Sequence, residues 1–169
     1  MTIIRCTQKL LKELKVKPVE TEPSLGLIGG WHANLLNIDR RKCVLITNDT
    51  TLYSVFMPGL RQPQFEMFPE IFGQELFRNL RCDNFTQQEI EIVLEELREI
   101  RIGKSNNRSV LGSMNDMTFR IKYLISRAGG LDAIDLTDLN QDINRNRLSA
   151  IGYGHPVEAL KKKLKEAIS

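Results

Sequence analysis

Three cysteines, two histidines and one tryptophan in 169 residues leave little material for metal or redox chemistry. Cys6, Cys43 and Cys82 stand far apart, which excludes both a disulfide framework and a Cys-x-x-Cys knuckle. With only His32 and His155 to add, a structural zinc site lacks ligands, so no metal is expected and the thiols are read as reduced, in or near the core. No stretch approaches the ~20 consecutive apolar residues of a membrane span. The N-terminal MTIIRCTQKLLKELK, with Arg5 almost inside its apolar stretch, is neither a signal peptide nor an anchor. A cytoplasmic protein without a membrane partner is the expectation. A dense basic stripe is missing too: 24 Lys and Arg face 21 Asp and Glu, a net charge of +3. That balance permits a nucleic-acid partner without arguing for one. Gly103-Lys104-Ser105 resembles the end of a phosphate-binding P-loop, but Arg98 stands where the upstream glycine is required. No cofactor fingerprint is present, and none is expected to bind.

What is there describes one α+β domain spanning residues 1–169. A hydrophobic content of 41% is enough to bury a core, and a charged content of 27% is ordinary for a globular chain. TIIR, residues 2–5, reads as an edge or first strand, and TQKLLKEL after it as a short helix. WHANLLNI, RKCVLITN and TLYSVFM are apolar, β-rich and separated by Asp39-Arg40 and Asn48-Asp49-Thr50, which gives a three-stranded antiparallel meander. The expected fold is therefore an antiparallel sheet of three to five strands packed against several helices. Those helices fall at about 68–80, 86–100, 108–127 and 156–168, with Thr86 and Glu89 forming a capping box. Residues 100–102 carry a brief extra strand, and residues 131–154 show no single periodicity.

The stretch NNRSVLGSMNDM, residues 106–117, is unusual for a helix start. At 100° per residue, Val110, Met114, Met117, Ile121, Leu124 and Ile125 fall on one apolar stripe, which is core. Arg108, Ser109, Gly112, Asn115 and Asp116 fall elsewhere, where Lys and Glu would be ordinary. A capped helix start with a close neighbour at Gly112 explains them structurally. An anion pocket built on free amides and Arg108 explains them functionally. A second cluster, GGWHANLLNIDRRKC, places Trp31 and His32 near Arg40 and Arg41. It can clamp a nucleotide or a single strand, or else Trp31 is a core plug, His32 a surface residue and Arg40-Arg41 an exposed turn. For acid-base chemistry His32 and His155 are the candidates, with Asp116 as an orienting carboxylate. The lysines at 161–163 and 165, with NRNR at 144–147, read as a solvated face.

RCTQKLLKEL, WHANLLNIDRRKCVLITND and NRSVLGSMNDM together resemble an uncharacterised bacterial domain family that also occurs joined to plasmid-encoded ORF-3-like proteins. The resemblance covers most of residues 1–125. It implies a bacterial or phage setting linked to mobile elements, and it supplies no reaction. Three functions stay open. The first is a binding module for nucleic acid or a phosphate-bearing, nucleotide-like anion, using Trp31, Arg40, Arg41, Arg108, Ser109 and Asn115. The second is a small metal-independent hydrolase or nuclease using His32 or His155 with Arg108 and Asp116. The third is a protein-interaction module, such as a phage inhibitor or toxin partner.

Overall fold

The computed structural model describes residues 1–20, 23–152 and 154–169; Thr21, Glu22 and Tyr153, the last within the segment 131–154 that showed no single periodicity, lie outside them. The chain is α+β. Five strands, β1 (Thr2–Cys6), β2 (Trp31–Ile38), β3 (Arg41–Asn48), β4 (Ser54–Met57) and β5 (Ile100–Lys104), form one sheet in the order β4-β3-β2-β1-β5. The expected meander is present, with β2, β3 and β4 antiparallel to one another. The sheet as a whole is mixed, however, because β1 runs parallel to both β2 and β5. A helical crossover is the reason: α1 (Gln8–Leu14) carries the chain over one face and returns it in the same direction as β1. TIIR is thus the first strand, but an internal one.

Helices cover both faces, which is why β2 and β3 are buried along most of their length rather than on alternate residues. On one face α1, α2 (Gln62–Glu66), α3 (Phe68–Cys82), α4 (Gln87–Glu96) and α7 (Pro156–Ile168) bury Trp31, Ile46, Phe72, Leu76 and Leu160. On the other, α5 (Arg108–Ala128) and α6 (Leu136–Asn144) bury Leu36, Leu45, Phe56, Met114 and Ile143. Local signals fix the helix ends. Thr86 and Glu89 close the capping box at 3.1 and 2.8 Å, Asn107 Oδ1 accepts from the amides of Ser109 and Val110, and Gly129 ends α5 at φ 103°.

α6 was not legible in the sequence, and it has a specific task. Asn144 Oδ1 accepts from Ser54 N at 2.7 Å while its Nδ2 donates to Ser54 O at 2.8 Å. One turn earlier Asn140 does the same for Phe56, at 2.8 and 3.4 Å. Two asparagines four apart thus occupy the outer hydrogen-bonding groups of the edge strand β4, as a further strand would. At the opposite edge Val19 N donates to Ile102 O of β5 at 2.8 Å.

Candidate functional site

The β2–β3 turn consists of two residues, Asp39 and Arg40, both left-handed at φ 50° and 63°. Such a turn matches the twist of a hairpin and normally recruits Asn or Gly, so an arginine at its second position is held there at a conformational cost of about 1 kcal/mol. Asp39 works as a clamp: its Oδ2 accepts from Leu131 N at 2.6 Å, docking the α5–α6 loop beside the hairpin. Gly130 permits this approach, since a Cβ there would sit 3.2 Å from Asp39 Oδ2 and its φ is 123°. From the other side, Leu60 N donates to Lys42 O at 2.8 Å and pins the β4–α2 loop to β3.

These three loops enclose a cleft of about 620 Å³, within the range of small-molecule sites. Arg40, Arg41, Lys42 and Arg61 line it, with Asp132 as the one carboxylate and Pro58, Leu131 and Leu136 supplying apolar wall. Arg41 holds Asp132 in a two-pronged pair, 2.6 and 2.7 Å, the geometry in which guanidinium receives a carboxylate or phosphate. The side-chain hydrogen bond and the charge of Arg41 hold the Asp132 carboxyl below its usual range, and Asp132 raises the Arg41 guanidinium in return. Lys42 reaches Glu13 at 2.8 Å. Neither Arg40 nor Arg61 has a carboxylate partner among the described residues.

The other residues nominated by the sequence lie elsewhere. Trp31 is fully buried on the far face, its ring edge-on to Phe72 at 5.0 Å, and offers no surface for stacking. Arg108, Ser109 and Asn115 are exposed on the first half of α5. That end is tied to the start of β2, whereas the cleft is at its finish, and the 21 residues of α5 span about 30 Å between them. Asp116 is exposed on the same helix.

His32 is buried, not at the surface. Its Nδ1 donates to Asp49 Oδ1 at 2.7 Å and its Nε2 accepts from Asn106 N at 3.2 Å, so the ring is the neutral Nδ1–H tautomer with both nitrogens occupied. Asp49 Oδ2 lies 3.6 Å from Arg5. Arg5, His32, Thr47 and Ser54 share one register row across four strands, and this polar row ties the entry of α5 to the sheet. His155 precedes α7 and bonds the Arg145 carbonyl through Nδ1. The cleft holds neither histidine. Sequence reasoning missed Lys42, Arg61 and Asp132, for which adjacency to Arg40-Arg41 is the only local signal, and that for Lys42 alone.

Helices on both faces of a mixed sheet and an arginine-lined hollow at one hairpin define the α+β chain. The family model for the domain of unknown function DUF6933 matches residues 3–159, and the chain belongs to that family. No curated protein and no solved structure matches the chain. No helix among the described residues is long and apolar enough to cross a membrane.

Proposed function

We propose that this protein is a single-domain binding module for a small anionic ligand, a phosphate- or carboxylate-bearing molecule of about nucleotide size, held in the hairpin cleft. The observation that carries this reading is the gathering of three arginines and one carboxylate around a single hollow, with Arg40 kept at a positive φ that glycine would adopt with less strain. Arg41 receives the anionic group in its fork. Arg40 and Arg61 add charge, while Leu131 and Leu136 take an apolar or flat body. Asp132 is an internal competitor: its carboxylate occupies the fork until the ligand displaces it.

A compact ligand is favoured over a long strand because Arg40, Arg41 and Arg61 gather on one hollow of about 620 Å³. A cytoplasmic bacterial setting linked to mobile elements goes with this reading through the resemblance of residues 1–125. Hydrolysis by a histidine is not favoured, since the ring nitrogens of His32 are occupied within the fold and His155 lies outside the cleft.

Calorimetric titration with inorganic phosphate and adenosine monophosphate at low and high salt tests the proposal. Binding that weakens with salt and falls about 10- to 100-fold in Arg41→Ala is expected. Absence of binding at low salt, or binding indifferent to Arg41→Ala, overturns it.

A further inference from the structure

The outer face of α5 does not resemble a solvated helix surface. Phe119 and Tyr123, one turn apart, are 76% and 56% exposed, and they lie on the line farthest from the buried stripe of Val110, Met114, Met117, Ile121 and Ile125. Toward the N-terminus the same line continues through Asn115 and Gly112 to Arg108. A methyl group at Gly112 would meet no atom within 4 Å, so its missing side chain serves no contact inside the chain. It leaves a notch on the helix surface. Tyr123 is held in place by Arg127, whose Nη1 donates to the phenol oxygen at 2.8 Å.

We propose that this face pairs with the same face of a second copy, two α5 helices packing antiparallel about a two-fold axis between Asn115 and Asp116. The self-complementarity of the strip argues for that occupant. Arg108 and Gly112 lie as far before this axis as Tyr123 and Phe119 lie after it, so one rotation matches both pairs at once. Each Phe119 enters the partner's notch at Gly112, a ring filling a hole. Each Arg108 guanidinium covers the partner's Tyr123 ring, a cation over a π face. The two Asn115 side chains meet beside the axis as a polar pair. A self-complementary patch is what a two-fold dimer requires. A single helix pair buries below about 1,200 Å² in total, which makes the association reversible and weak rather than obligate. The two Asp116 carboxylates fall on one flank of the axis and oppose pairing.

Sedimentation velocity on the full chain, over micromolar to millimolar concentrations, reads the association. A reversible monomer–dimer equilibrium is expected, abolished by Phe119→Glu and by Gly112→Leu and tightened by Asp116→Asn. Gly112→Leu fills open space and removes a mid-helix glycine, so it keeps or raises the melting temperature, and loss of the dimer in that variant is not loss of fold. Asn115→Cys in a Cys82→Ser background, with Cys6 and Cys43 buried, gives a covalent dimer with oxidised glutathione. A chain that stays monomeric throughout, or a dimer that survives both Phe119→Glu and Gly112→Leu, overturns the proposal. None of Arg108, Gly112, Asn115, Phe119 and Tyr123 lines the cleft, so anion binding is unaffected by either result.

Discussion

Arg40 and Asp132 oppose the ordinary preferences of their positions, and each gives a test. Replacing Arg40 with Gly relieves a left-handed arginine and is expected to stabilise the fold by about 1 kcal/mol in urea denaturation. The same change weakens anion binding, which is the trade between stability and a site. Asp132→Asn frees the Arg41 fork and is expected to tighten phosphate about tenfold by titration, a shift of ~1.4 kcal/mol. Its melting temperature hardly changes, because an exposed ion pair contributes little to stability. Arg40 and Arg41 stood out in the sequence because one sits in the two-residue hairpin turn and the other directly follows it. Asp132 did not, because its place beside Arg41 depends on the Asp39 clamp and on Gly130, contacts across some ninety positions of chain. His32 shows the same limit: alternation places it on one sheet face, and only packing decides that the face is covered.

At the scale of elements, the two asparagines of α6 stand in for a sixth strand. Asn144→Ala strips both outer bonds of Ser54 and leaves its backbone buried without partners. About 1–3 kcal/mol of stability is expected to be lost in denaturant titration. Asn140→Ala with Asn144→Ala opens the β4 edge, and faster aggregation by light scattering is the expected outcome. An unchanged aggregation rate in a folded double variant would show that the edge is protected otherwise. The meander, the Thr86 capping box and the apolar stripe of α5 were readable because each depends on neighbours in sequence. The parallel placement of β1 and β5 and the docking of α6 depend on pairings between distant segments, and Asn140 and Asn144 look like any polar helix residues until β4 is beside them.

At the scale of the whole molecule, the buried ionisable groups set how stability responds to alkali. Burial pushes the Cys6 thiol from 9.0 up to about 12. Burial and then the charge of Asp83 raise the Tyr53 phenol well above its ordinary value. Both groups stay protonated in the fold where the unfolded chain has begun to ionise. The contribution of Cys6 is therefore complete below about pH 9 and is lost as pH rises toward 12, and that of Tyr53 is likewise lost in alkali. For Cys6 the loss across that window is on the order of 4 kcal/mol. Cys6→Ala is expected to give a flatter stability profile between those limits in urea titrations; a profile as steep as the parent's would remove Cys6 from the account.

The cleft itself is tested most directly by amide chemical-shift mapping during titration with adenosine monophosphate at low salt. Shifts are expected at residues 39–42, 58–61 and 130–136, diminished by added salt and absent in Arg41→Ala. Shifts centred on residues 106–116, or none at saturating ligand, would contradict binding in the cleft.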